Sequence, residues 1–224
     1  MHASTYGARV PAERPSLSSF RILAVAVVAV VALAGCQRNP LLVRRSACPA
    51  VAVPYYAGDI TLFTPTDTGR DAAGVDVVAT ITNVRGACVD AGAILSTDVT
   101  YDVVARRTLT IGARAVTLPV FASVVQGGNL LVSKQLGQVT INFADGQARA
   151  QAPGRTLARV ARSASTLPAE LQQRISRVRK AGDLDAATDP LSDPEVRAAV
   201  RAASFEVLVG FQLDDAALAY NVTK

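Results

Sequence analysis

The sequence predicts a mainly β fold: an antiparallel β-sandwich, interrupted late by two helices and closed by a C-terminal β-hairpin. Three observations carry this expectation. Apolar and polar residues alternate at period 2 from about residue 48 to about residue 152. The alternating runs are joined by short Gly-containing turns, with no helical crossover of the kind a parallel sheet needs. Helical spacing begins only near residue 167, and alternation returns near residue 205.

The elements follow in order. Val75, Val77, Ala79 and Ile81 share one strand face, and Asn83-Val84-Arg85-Gly86 reads as the turn that ends it. Leu95, Thr97, Val99, Tyr101 and Val103 alternate with Ser96, Asp98, Thr100, Asp102 and Val104, a half-buried strand. Val116, Leu118, Val120, Ala122 and Val124 form a third face, where Pro119 predicts an edge strand or a bulge. Gly127-Gly128-Asn129 turns the chain into residues 130–135, and Val139, Ile141 and Phe143 follow. Asp145-Gly146 then reads as a hairpin turn before a weak strand over 147–152.

Leu167, Leu171, Ile175 and Val178 predict a helix near 167–181, with Thr166 as N-cap, Pro168 in the first turn and Gly182 at the end. Ser192-Asp193-Pro194-Glu195 reads as a capping box, which starts a helix near 193–203 that buries Val196, Ala199, Val200 and Ala203. Phe205, Val207, Val209, Phe211 and Leu213 make another strand face. Asp214-Asp215 is expected to turn the chain into a last strand over 217–222. A lone hairpin is barely stable in water, so these strands should rejoin the earlier sheets in one domain over 48–224.

Composition agrees with a folded domain. The chain has 224 residues, is 50% hydrophobic and 18% charged, and has only 5% aromatic residues and no Trp. That is enough apolar content for a core, and too little charge for disorder. The run Ala79-Thr80-Ile81-Thr82-Asn83 followed by Gly86 resembles an early strand of many Ig-like envelope domains, which implies an Ig-like sandwich.

Residues 1–35 read as a signal peptide. Arg9, Arg14 and Arg21 precede an apolar run over 22–33, about 12 residues and short of the roughly 20 that span a bilayer. The run ends in Leu33-Ala34-Gly35-Cys36, which resembles the lipobox of bacterial lipoproteins. The resemblance implies cleavage between Gly35 and Cys36 and an N-acyl diacylglyceryl lipid on Cys36, with no other cofactor. Residues 36–47 would be a lipidated tether that reads as a solvated linker, with contact of Arg38, Arg44 and Arg45 with anionic headgroups as the second reading. In that family Asp after the Cys retains some proteins at the inner membrane; Gln37 here implies the outer membrane, facing the periplasm. Removing residues 1–35 takes three of the 23 basic residues and one of the 18 acids, and the formal charge falls from +5 to +3.

Setting Cys36 aside leaves Cys48 and Cys88. Two thiols in an exported chain are expected to pair, closing a loop of about 40 residues. The one His is His2, inside the signal, so the mature chain lacks the usual general base and cannot complete a zinc shell from two Cys. Ser133 and Lys134 are adjacent and would face opposite ways on a strand, so they form no dyad. Asp76, Asp98 and Asp102 lie on strand faces opposite the apolar set and read as solvent-facing; Asp98 and Asp102 are four apart, roughly 13 Å by strand rise, too far for an acid/base pair without help from another strand. Asp183, Asp185, Asp189, Asp193 and Glu195 fail the EF-hand pattern, with Thr188 at its glycine position and Pro194 at its last. No metal site is expected.

Arg155, Arg159, Arg162, Arg174, Arg177, Arg179 and Lys180 form a basic stretch, a candidate surface for an anionic partner. Nucleic acid is disfavoured, since aromatic interleaving and phosphate loops are absent. The expectation is therefore a non-catalytic envelope lipoprotein that acts as an accessory, interaction or assembly factor for an envelope protein. A second reading makes it a binding module for anionic glycan or lipopolysaccharide. A third, a carboxylate-based hydrolase, requires two acids converging in a cleft.

Overall fold

The computed structural model describes residues 45–64 and 70–223. They fall within one contact unit of the chain, Leu41–Lys224. Gly35 and Cys36 lie outside the described residues, as do the signal segment and most of the tether, with Arg38 and Arg44.

The strands are β1 (Ala50–Ala52), β2 (Asp59–Phe63), β3 (Val75–Ala91), β4 (Ile94–Arg107), β5 (Arg114–Gln126), β6 (Leu130–Phe143), β7 (Arg149–Ala161) and β8 (Phe205–Phe211). The helices are α1 (Arg162–Ser165), α2 (Ala169–Ser176), α3 (Pro194–Ala202) and α4 (Asp215–Thr223). One sheet has the order β1-β8-β5-β6 and the other β2-β3-β4-β7. Pairing is antiparallel except for β1 on β8, which is parallel. The chain is a β-sandwich with a helical insertion between β7 and β8.

Strand parity explains the core. Leu95, Val99, Tyr101, Val103 and Ala105 of β4 are buried in one cluster with Leu118, Val120 and Val124 of β5, Ile141 and Phe143 of β6, and Val207, Val209 and Phe211 of β8. A smaller cluster, Leu167, Ile175, Val196 and Ala203, holds the helices together.

Gly154 of β7 lies opposite Tyr101 of β4. A Cβ there would fall 2.1 Å from Tyr101 Cε2, and the tyrosine is only 5% exposed. Gly154→Ala is therefore expected to destabilise by roughly 1–3 kcal/mol through overpacking. Thermal unfolding checks this, and adding Tyr101→Leu should return part of the loss.

The structure corrects several expectations. Asn83 to Gly86 do not end a strand: β3 runs on to Ala91 through a register shift between Thr82 and Arg85, with Asn83 at φ 52°. The turn residues form a bulge, which asparagine tolerates in the left-handed region. Pro119 sits in β5, an interior strand between β8 and β6. Its carbonyl accepts from the Gln212 N–H, just past the end of β8 at Phe211. N and O of a strand residue point to the same side, so its missing N–H faces the place where β8 has stopped.

Asp145-Gly146 does not close a hairpin, because β6 and β7 belong to different sheets and the turn carries the chain across the sandwich. The helix expected over 167–181 is α2, which is shorter, since Val178 is 61% exposed and finds no core. Its N-cap position is Pro168 rather than Thr166, whose hydroxyl donates to Arg162 O instead. In α3 the N-cap is Asp193, not Ser192: its carboxylate accepts from the N–H groups of Glu195 and Val196. The C-terminal hairpin is replaced by a helix, α4. Asp214 acts as a cap, accepting from the Ala217 N–H at 2.6 Å, and the Ala-rich segment that follows favours helix. Buried Asn221 pins α4 by donating to the carbonyls of Tyr56 and Asp59, both at 2.8 Å.

Candidate functional site

Cys48 and Cys88 form a disulfide, with Cα atoms 6.0 Å apart. Cys48 stands two residues before β1 and Cys88 is on β3, so the bond joins the two sheets. Arg45, the first described residue, is part of the same arrangement. Its guanidinium donates to Ser165 O at 2.8 Å and to Ala203 O. Burial pulls its pKa below the ordinary arginine value. Arg45 is thus committed to backbone at the helical corner rather than to headgroups.

The basic stretch divides into paired and unpaired members. Arg155 on β7 forms a two-point ion pair with Asp98 on β4, with Nε 2.8 Å from Oδ1. Arg162 pairs with Asp90 and donates to Gly92 O at 2.6 Å. Arg174 pairs with Asp193, and Arg177 with Asp185. Arg179 reaches Asp185 at 3.1 Å and is only 7% exposed along its side chain. Arg159 and Lys180 are exposed and form no ion pair among the described residues. The acids of residues 183–195 therefore act as arginine partners and caps: Asp183 accepts from Lys180 N–H, and Asp189 from Leu191 N–H. Several of them line a cleft of about 800 Å³ together with the arginines that neutralise them.

These pairs shape the acid response. The Glu195 N–H, then Arg174, holds the Asp193 carboxyl below the usual carboxylate range, and Arg177 does the same for Asp185. A carboxyl whose folded pKa is depressed contributes stability above its unfolded value, near 4, and loses it as pH falls further. The α2–α3 corner is therefore expected to loosen below about pH 4, together with the β4–β7 contact at Asp98, whose carboxyl the Arg155 hydrogen bond holds down in the same way. Amide exchange at Ile175 and Val196, compared with Val207 and Val209 of β8, measures this.

Sequence reasoning missed the roles of three charged residues, the buried Asp76 and Arg107 and the exposed Arg114. Asp76 on β3 and Arg114 on β5 form a bidentate pair at 2.7 and 2.6 Å, a second link between the sheets. Hydrogen bonding to Asp76 raises the Arg114 pKa. Arg107 is 2% exposed. It donates to the carbonyls of Gln147, Gly112, Thr110 and Ala144 at 2.7–2.8 Å, and its guanidinium carbon lies 5.1 Å from the centre of the Phe143 ring. The sequence does carry a signal for Arg107: it continues the inward parity of Val99, Tyr101, Val103 and Ala105.

The class these features define is a disulfide-linked β-sandwich with an ion-paired helical corner. Comparison of the chain with protein families, with curated proteins and with solved structures finds no match.

Proposed function

We propose that this chain is a non-catalytic lipoprotein of the bacterial cell envelope, anchored through Cys36 and acting as an accessory or assembly factor for an envelope protein. The signal peptide, the cut between Gly35 and Cys36 and the outer-membrane, periplasm-facing location belong to this proposal. The observation that carries it is the Cys48–Cys88 disulfide. Such bonds persist in oxidising compartments outside the cytosol. This one ties the segment twelve residues after the lipobox cysteine to the opposite sheet. Pull on the tether then reaches the sandwich through a covalent bond rather than through a three-residue strand.

The carboxylates support a scaffold rather than a hydrolase. Asp76, Asp98, Asp185 and Asp193 each hold an arginine. The anionic-glycan reading loses support from the same pairs, since most of its cations are already compensated.

Labelling cells with radioactive fatty acid tests the anchor: label should enter the protein and disappear in Cys36→Ser, with the variant leaving the membrane fraction. Cross-linking in intact cells followed by pull-down should recover an envelope protein. Turnover of a substrate by the purified chain would overturn the accessory role.

A further inference from the structure

The turn between β5 and β6 leaves apolar side chains outside the sandwich. Leu130, Leu131 and Val132 open β6 and are 58%, 56% and 52% exposed. Val132 is an extra residue between the pairs Val124–Ser133 and Val125–Leu131, a bulge that bends this end of the strand. The tip is nevertheless held in place. Gly127 N–H donates to Ser204 O at 2.9 Å, and Gln126 Nε2 to Ala202 O at 2.6 Å. Arg45 donates to Ala203 O, between those two acceptors. The described chain therefore starts at the same end of α3 that holds the apolar tip.

Charge is arranged to match. Arg197 and Arg201 of α3 line one groove of about 440 Å³ with Leu130, and no carboxylate lines it. Both arginines are exposed and form no ion pair among the described residues. Cations beside exposed aliphatic side chains fit an anionic lipid surface, where charge meets headgroups and apolar atoms enter the acyl boundary.

We propose that this end of the sandwich is a bilayer-contact face, with Leu130, Leu131 and Val132 at the headgroup–acyl boundary and Arg197 and Arg201 over anionic headgroups. The proposal rests on the anchor at Cys36. The chain outside the structure supplies the reason for choosing a bilayer as the occupant. Nine residue steps separate Cys36 from Arg45, so the tether spans at most about 30 Å. A 14-residue strand of this sandwich is roughly 45 Å long. The tether thus keeps the Leu130 end near the lipid, whereas Ile111, 91% exposed in the loop after β4, belongs to the other end of the strands.

The chain contains no Trp, so one introduced Trp is a unique reporter. Leu131→Trp, Val132→Trp and Ile111→Trp, each made in the full chain at an exposed position, are mixed with excess vesicles of bromine-labelled phosphatidylcholine, with or without phosphatidylglycerol. Quenching of Leu131→Trp and Val132→Trp should exceed that of Ile111→Trp several-fold. Arg197→Glu with Arg201→Glu should remove the part that depends on phosphatidylglycerol. Equal quenching at the two ends would overturn the proposal. So would shielding of Leu131→Trp from iodide that rises with protein concentration without vesicles, which would identify a second copy as the occupant. The mass of the Cys36 peptide reads the anchor separately. Unmodified Cys36 with selective quenching sinks the anchor and keeps the face; lipidated Cys36 without selective quenching does the reverse.

Discussion

Replacing Arg107 with Met is expected to lower stability by roughly 3 kcal/mol, since hydrogen bonds from a charged donor contribute about 1.5–3 kcal/mol each. For a domain of this size that is a fall of about 10 °C in Tm. The apolar stem can be replaced; the guanidinium cannot. It satisfies the carbonyls of Thr110 and Gly112 in the loop after β4, and those of Ala144 and Gln147 in the crossing between β6 and β7. Removing it takes the guanidinium donor from Gly112 O and Gln147 O, while Thr110 O keeps the Gly146 N–H and Ala144 O the Gln147 N–H, so the two loops lose the group that ties them together. Arg107→Lys should recover less than half the loss, because an ammonium is one compact centre and cannot aim donors along a rigid fork. Thermal melts give the size of the effect. Amide exchange at Gly112 and Gly146, whose N–H groups bond Asp145 and Thr110, shows where the loss begins.

Cys48→Ser with Cys88→Ser is expected to cost about 4 kcal/mol by the chain-entropy account, within the roughly 2–5 kcal/mol usual for native disulfides. The closed loop has a sequence separation of 40. Denaturant unfolding of the oxidised protein and the double variant measures the difference. Its location is as informative as its size. β1 is held by only three register pairs to β8, and Val51 approaches Gly86 of β3 closely enough that a Cβ there would lie 2.5 Å from it. Exchange at Ala50 to Ala52 should therefore rise before exchange in β4. A variant that loses stability with β1 still protected would show that the bond acts only on the unfolded chain.

Alternation is the most legible feature of this chain. Residues 95–103 and 205–211 read as strands because their faces differ in polarity, and both are strands with those faces buried. The cysteine pair is legible by elimination, once Cys36 is read as a lipid site. The helix caps are less so. Asp214 and Asp193 each cap a helix, yet side chains of this type serve turns and caps equally well in sequence. A Gly-containing turn announces a reversal of the chain, but not whether the next strand pairs in the same sheet, as Asp145-Gly146 shows.

The arginines mark the boundary between the two kinds of information. Arg106 and Arg107 are neighbours in sequence; one is exposed and the other is 2% exposed. Arg155 meets Asp98 across 57 residues, and Arg45 meets Ala203 across 158. Sequence by itself determined the main strands, the late helices and the disulfide, since pleat periodicity and cysteine number are visible along the chain. Tertiary structure alone decided which cations are committed internally and which face outward, because a guanidinium's partner depends on which strand ends and helix termini the fold brings together.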